Sequence, residues 1–222
     1  MADDLHPGRL APALPAGKQY DCAVSTDHYF TAQPASDDER RTRTVHLAGR
    51  ELEVEVASGV FSPAGVDKGT AVLLSEVPAP PPSGNLLDLG CGWGPITISL
   101  ALAAPHATVW AVDVNERALD LVRRNAERLG LDNVRAALPD DVPDDLAFDL
   151  CWSNPPIRVG KQALHDLLTR WLPRLADDAE AWLVVQKNLG SDSLARWITD
   201  TLGLPVAREA SSKGFRVLRV AG

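Results

Sequence analysis

From Asn85 to the end of the chain, short apolar runs alternate with helical ones, and this alternation constrains the fold more than any other feature. Leu86-Leu87-Asp88-Leu89 reads as a strand, and Pro95–Ala104 as a helix entered through glycines. Val109–Val112 is a second strand. Asn115–Leu129 is an amphipathic helix with Ala118, Leu121, Val122, Ala126 and Leu129 on one face and Gly130 as its stop. Val134–Leu138 and Phe148–Trp152 read as strands, Lys161–Leu175 as a helix and Ala181–Val185 as a strand. The helix Ser191–Leu202 then leads to strands around Val206 and Phe215–Val220. Strands and helices in strict alternation imply an α/β fold, a mostly parallel sheet covered on both faces. The last two strands have only Ser211-Ser212-Lys213-Gly214 between them, so an antiparallel hairpin is expected at one edge.

Upstream of residue 83 the pattern differs. Residues 1–20 are rich in Pro, Ala and Gly and read as a flexible tail. Within 21–82, Ser36–Arg43 is charged and turn-like. Val45-His46-Leu47 and Leu52–Val56, separated by Ala48-Gly49-Arg50, suggest a hairpin. A helix over Lys68–Val77 ends at Pro78-Ala79-Pro80-Pro81-Pro82, where we place the boundary with a main domain over 83–222.

Of 222 residues, 22 are Lys or Arg and 30 are Asp or Glu, for a formal charge of −8. Such a chain has no bulk attraction for polyphosphates, so a nucleic acid would need a local basic edge. Cys22, Cys91 and Cys151 show no metal-binding spacing and cannot all pair, so neither a zinc site nor a disulfide scaffold is expected. The first residues have acids and prolines where a secretion signal needs basic and apolar runs. No stretch approaches the ~18 apolar residues of a membrane span. A cytoplasmic monomer without a metal or a membrane is the expectation.

Four signals carry chemistry. Asp88-Leu89-Gly90-Cys91-Gly92-Trp93-Gly94 is a strand-to-helix turn whose glycines let a ligand lie against peptide N–H groups. A dinucleotide-binding G-x-G-x-x-G would need glycine at 95, where the chain has Pro95. The acid inside the strand would repel a pyrophosphate; it can instead order the loop and, through water, the amino group of a cationic ligand. Asp113, at the end of the second strand, is placed to accept both ribose hydroxyls of a nucleoside, although a helix N-cap would use the same residue type. Asp140 and Asp141 follow the third strand, where one carboxylate can accept from an adenine amino group or simply face solvent. Ser153-Asn154-Pro155-Pro156-Ile157 follows the fourth strand. Its prolines fix the backbone, so the Asn154 amide oxygen and the Pro155 carbonyl can both accept from one planar NH2 group.

D-x-G-x-G-x-G, the acid after strand two and N-P-P after strand four together resemble class I S-adenosylmethionine-dependent methyltransferases that act on planar amino nitrogens. The closer resemblance, over about residues 20–222, is to the methyltransferase small domain family, including its 16S ribosomal RNA guanine-N2 methyltransferases. It is carried by Asp27-His28-Tyr29-Phe30, Gly59-Val60-Phe61-Ser62 and Asp67-Lys68-Gly69-Thr70. Asn154-Pro155-Pro156-Ile157-Arg158-Val159-Gly160-Lys161, Val185-Gln186-Lys187 and Lys213-Gly214-Phe215-Arg216-Val217-Leu218 extend it.

The resemblance implies a seven-stranded Rossmann-like sheet with a small N-terminal β extension, S-adenosyl-L-methionine as cofactor and methyl transfer to an exocyclic amino nitrogen. Asp88, Gly90, Cys91 and Gly92 would cradle the methionine end of the cofactor, Asp113 and Val114 its ribose, and Asp140 or Asp141 its adenine. Phe61 and the turn Asp67, Lys68, Gly69 and Thr70 would close over the site. Asn154 and Pro155 would hold the target amine, with Pro156 and Ile157 shaping the pocket wall and Phe61, Arg158 and Lys161 reaching the substrate. Adenine-N6 and glutamine methyltransferases of this type carry an aromatic residue where this chain has Ile157, which favours guanine N2 of small-subunit ribosomal RNA, bare or in the 30S particle. Transfer RNA, adenine N6, a protein glutamine or a small-molecule amine are the alternatives, and a non-catalytic nucleoside- or RNA-binding module is the alternative from another class. Arg40, Arg41, Arg43, Arg158, Lys161 and Lys213 are the candidates for a basic edge. Trp93, inside the glycine loop, is a candidate cofactor contact, whereas the other tryptophans and the cysteines read as core.

Overall fold

The computed structural model describes residues 39–156 and 160–222. The expected tail, Cys22, the Asp27–Phe30 motif, Ile157 and Arg158 lie outside the described residues.

The chain opens with an antiparallel hairpin, β1 (Arg40–Leu47) and β2 (Arg50–Ala57). Ala48 and Gly49 both have positive φ (48° and 71°), the two-residue turn whose twist matches that of the flanking strands. β1 begins at Arg40, inside the segment expected to be a charged turn. Arg40–Thr44 pair along β2 with their side chains in solvent, so the pairing is set by backbone bonds that the charged sequence does not advertise. On the buried side Val45, Leu47, Val54 and Val56 share one apolar cluster with Trp93, Ile98, Ala118 and Leu121. Trp93 is therefore a core residue, 1% exposed.

Helix α1 (Lys68–Glu76) starts at Asp67, whose carboxylate accepts from the N–H groups of Gly69 and Thr70, and stops at Val77, just before Pro78. It packs on the main sheet against β7 (Leu175–Gln186) and β9 (Phe215–Ala221).

That sheet has seven strands in the order β5-β4-β3-β6-β7-β9-β8, the other members being β3 (Ser83–Leu89), β4 (His106–Val112), β5 (Val134–Ala137), β6 (Phe148–Ser153) and β8 (Val206–Ser212). Neighbours are parallel except where β9 meets β7 and β8, so the expected antiparallel hairpin forms, with β8 outermost. α2 (Pro95–Ala103) and α3 (Glu116–Leu129) cover one face together with α1. α4 (Lys161–Trp171) and α5 (Ser191–Trp197), which continues as a π turn to Leu202, cover the other. Alternate β3 residues serve the two sides: Leu86 joins the cluster of α2, and Leu87 and Leu89 that of α4 and α5.

α4 ends before the expected Leu175. Pro173 tightens the chain into a 3-10 turn over Leu172–Arg174, and β7 begins directly afterwards, well before the expected Ala181. Asp177 and Asp178 lie in this strand but face solvent, and Asp178 has a positive φ of 63°, so an acidic, irregular start hides a strand that pairs back to Phe148.

β3 sits between β4 and β6, and the chain runs outward from it in opposite directions. The loops leaving β3 and β6 therefore diverge, and a crevice opens at the carboxyl ends of the strands between them. Ser153 Oγ donates to the Leu89 carbonyl at 2.6 Å, locking the two strand tips together at its floor.

Candidate functional site

The loop after β3 turns back at once: the N–H groups of Gly90 and Cys91 both donate to the Val112 carbonyl at the tip of β4, at 2.8 and 3.2 Å. Gly90 and Gly92 have φ of 77° and 55°, in the left-handed region that favours glycine. Behind the loop, the buried Asn125 side chain donates to the carbonyls of Trp93 and Glu55, both at 3.0 Å, and accepts from the Glu55 N–H at 2.7 Å. The loop is thus stapled to α3 and to the hairpin on its far side, and its near side faces the crevice.

Asp88 is fully buried beneath this loop. Its Oδ2 accepts from the Thr97 N–H (2.8 Å) and hydroxyl (2.6 Å), which fixes the start of α2, while Oδ1 has no partner among the described residues. Burial pushes this carboxyl up to about 7. Asp113, after β4, accepts from the Gly92 N–H with Oδ2 (3.0 Å) and from the Asn115 N–H with Oδ1 (2.9 Å). Burial raises its pKa as well, with these backbone bonds opposing the shift. The N-cap of α3 is Asn115, which accepts from the Arg117 N–H and donates to the Gly59 carbonyl, leaving Asp113 at the crevice.

After β6, the Asn154 amide nitrogen donates to Asp67 Oδ2 and to Thr70 Oγ1, both at 3.0 Å. Gly69 sits under this convergence: a Cβ there would lie 2.9 Å from Asp67 Oδ2, 2.9 Å from Phe215 Cε1 and 3.3 Å from Asn154 Nδ2. Position 69 must be glycine because these three side chains meet over it.

Together these segments enclose a mostly apolar cavity of about 310 Å³, a volume in the range of small-molecule sites. Phe61, Lys68, Gly90, Gly92, Asp113, Val114, Asn154, Pro155 and Pro156, all expected at the site, lie on its wall. A Cβ at Gly92 would stand 3.8 Å from Phe61, and one at Gly90 would stand 3.9 Å from Pro156, both residues of the cavity wall. Thr70 and Cys91 border a smaller adjoining cavity that also touches Gly90 and Asn154. Gly69 is on the wall of neither cavity; its N–H donates to Asp67 Oδ2 at 2.7 Å.

Five expected residues are elsewhere. Asp88 stands behind the loop, not on the cavity wall. Asp140 has a side chain 90% exposed and takes a hydrogen bond from Arg170 at 2.8 Å, Asp141 is exposed, and Pro139 is the residue of this turn that reaches the cavity. Lys161 is exposed at the start of α4. Trp93, a candidate cofactor contact, keeps to the core and to the edge of the smaller cavity. Cys91 and Cys151 are buried free thiols whose pKa values burial pushes up, as befits packing groups. Of the proposed basic edge, Arg40 pairs with Asp120 and Arg41 with Glu39.

Sequence reasoning missed Asp67 as a partner of Asn154, and it missed Gln186, Leu189 and Phe215, which close the cavity from the β7–β9 side. Gln186 and Phe215 are direct neighbours across these two strands. Gln186 and Phe215 lie in segments that carry the family resemblance, but no residue type there marks them as cavity-lining. Among the described residues no helix is long and apolar enough to cross a membrane, and no group of three or more His, Cys, Asp or Glu could hold a metal ion.

The sequence pattern described as Methyltransferase small domain matches residues 51–219. Uncharacterized protein YbxB of Bacillus subtilis (strain 168) is 32% identical over 197 residues, covering 87% of this chain and 98% of that protein. Ribosomal RNA small subunit methyltransferase C of Pseudomonas aeruginosa (strain LESB58) is 36% identical over 177 residues, covering 77% of this chain. The chain spans 51% of that enzyme's length. Among solved structures, a T. thermophilus 16S rRNA N2 methyltransferase in complex with AdoMet and guanosine superimposes with a TM-score of 0.70 at 21% identity, over 85% of this chain and 52% of the other.

Proposed function

The chain belongs to the methyltransferase small domain family of S-adenosylmethionine-dependent methyltransferases, and from that premise we propose that it methylates the exocyclic N2 of a guanine in small-subunit ribosomal RNA. The observation that carries the reading is the state of Asn154. Its amide nitrogen is used by Asp67 and Thr70, so its oxygen is left as an acceptor beside Pro155, in the cavity that also holds Asp113 and the glycine loop.

The cavity suits the cofactor on its own chemistry. A carboxylate at Asp113 answers ribose hydroxyls, backbone at Gly90 and Gly92 leaves room for a close-lying chain, and Val112, Val114 and Pro139 offer apolar walls to a ring. When bound, S-adenosylmethionine supplies a methyl group on a sulfonium, a strong leaving group, so the protein's task is placement. Asn154 Oδ1 and the Pro155 carbonyl would accept the two hydrogens of the target amine and turn its lone pair toward the methyl group. Their negative ends stabilise the positive charge that builds on the nitrogen during transfer, before a proton leaves to solvent. Phe215 and Phe61 offer aromatic walls to the flat ring.

A ribosomal substrate is further supported by the lysines. The four among the described residues, Lys68, Lys161, Lys187 and Lys213, all lie at the carboxyl edge of the sheet, where the cavity opens, and none of them is in an ion pair with another described residue. In a chain of net charge −8, that is a local cationic rim suited to phosphates. Similarity to ribosomal RNA small subunit methyltransferase C, over half of its length, points the same way.

The test is to supply radiolabelled cofactor and the enzyme to 30S particles, free ribosomal RNA, transfer RNA and release factors from a strain lacking it. Label recovered as N2-methylguanosine in 16S RNA is expected. Label confined to protein, transfer RNA or small molecules would overturn the substrate and leave the methyltransferase assignment standing.

A further inference from the structure

We propose that Asp67 and Thr70 are positioning residues that fix the orientation of the Asn154 side-chain amide, so that the acceptor at the tip of β6 is set by the first turn of α1. The inference rests on the reading of Asn154 as the acceptor for the target amine.

An asparagine side chain carries an oxygen acceptor and an NH2 donor on opposite sides, and a half-turn about its last bond exchanges them. Nothing within the Asn154-Pro155-Pro156 turn itself chooses between the two states. Asp67 does: an ionised carboxylate only accepts, so the nitrogen of Asn154 must face Asp67 Oδ2, 3.0 Å away. Thr70 Oγ1, also at 3.0 Å, takes the second amide hydrogen. Both hydrogens are thereby used, and among the described residues Oδ1 has no protein donor. The reversed amide would set its oxygen against a carboxylate and present hydrogens to the hydrogens of the amine.

Two features make this an orienting contact and not an incidental one. Thr70 is 2% exposed and Asn154 is half-buried, so water competes poorly for these bonds. Asp67 Oδ2 also receives the Gly69 N–H at 2.7 Å, so its position is fixed by the helix cap before Asn154 arrives. Donation to a carboxylate polarises the amide as well and deepens the negative charge on Oδ1, the atom asked to hold the amine. The contact joins positions 87 and 84 residues apart, so the chemistry of the strand tip depends on a helix that precedes the whole parallel sheet.

Thr70→Val keeps the volume and removes the acceptor, and Asp67→Asn keeps a good helix cap and removes the charge. The first readout is side-chain amide hydrogen exchange at Asn154 by 15N NMR of the full-length protein without ligand, the signals being assigned by their loss in Asn154→Ala. Thr70→Val should speed that exchange by about tenfold or more, the protection that one buried hydrogen bond of ordinary strength provides. The second is turnover on whichever RNA or protein acceptor takes the label in the assay above. Each variant should lower kcat by about tenfold with KM for S-adenosylmethionine held within twofold, and neither should lower it further in the Asn154→Ala background. Unchanged amide exchange, or losses that simply add to that of Asn154→Ala, would overturn the proposal. If Asn154→Ala itself leaves turnover intact, the reading of Asn154 fails, while the exchange measurement still decides whether Asp67 and Thr70 hold the amide.

Discussion

The backbone N–H of Gly92 lies 3.0 Å from Asp113 Oδ2, and this bond ties the glycine loop after β3 to the tip of β4. The other oxygen of Asp113 takes the Asn115 N–H, so one carboxylate holds the loop and the entry to α3 at a fixed separation. A ligand that used Asp113 would be bound by a group already anchored on both sides, with little further ordering to oppose binding.

Asp113→Ala removes that anchor and any bond to a ribose together. Charge-assisted hydrogen bonds contribute about 1.5–3 kcal/mol each, so affinity for S-adenosylmethionine should fall by roughly ten- to a hundredfold. Isothermal calorimetry on the folded variant checks this. A normal affinity would remove Asp113 from the site.

Asn154→Ala tests the other end of the cavity. Affinity for S-adenosylmethionine should stay within a few-fold, because the wall near Asp113 and the glycine loop is untouched. The methyl-transfer rate should fall by roughly a hundredfold, the usual effect of losing one preorganised transition-state hydrogen bond. Single-turnover measurement with radiolabelled cofactor separates the two effects.

Much of this arrangement is legible in the sequence, and the exceptions have physical causes. The glycine loop, Asp113 and Asn154-Pro155-Pro156 declare themselves because each needs special residue types at a strand end. The burial of Trp93 does not, because a tryptophan beside glycines reads equally well as ligand contact or core. The start of β7 is hidden by Asp177 and Asp178, which point to solvent on a strand whose partners are distant in sequence. Asp140 and Asp141 sit in the right turn, but which side chain of a turn faces inward depends on its backbone, and Arg170 on α4 draws Asp140 outward. The Asp67–Asn154 bond spans 87 residues and has no local signature.

Asp140→Ala should therefore leave S-adenosylmethionine affinity unchanged within about twofold, since an exposed ion pair such as that with Arg170 contributes little. Calorimetry again decides, and a tenfold loss would return Asp140 to the site.

Asp88 gives a pH signature. Its folded-state pKa of about 7 stands above the ordinary carboxyl value of 3.8, so the unfolded chain ionises first and burial of the charge opposes folding. Below pH 4 the group is neutral in both states and the opposition is absent. It grows as pH rises from 4 to 7 and is then constant. In Asp88→Asn, which cannot ionise but can still accept from Thr97, thermal stability relative to the native protein should rise through that window and level off above it. Melting curves at pH 4, 5.5, 7 and 8.5 would show this, and a parallel pair of profiles would contradict it.

The lysine rim makes the RNA reading quantitative. Lys187 and Lys213 flank the backbone bond from the Lys187 N–H to the Gly214 carbonyl (2.9 Å), which does not involve either side chain, so both can be reversed without loosening the turn. If the rim meets phosphates, each lysine removed should lower the slope of log K against log salt by about 1. The double variant Lys187→Glu, Lys213→Glu should then bind a 16S RNA fragment at least tenfold more weakly at low salt, with the gap narrowing as salt is added. Its affinity for S-adenosylmethionine should not change, because neither side chain lies on the cavity wall. The double variant Arg128→Glu, Arg135→Glu, on α3 and β5, serves as the matched control, since it changes net charge by the same amount away from the rim. Equal losses in the control and the rim variant would mean that RNA responds to overall charge alone, and the rim would lose its role.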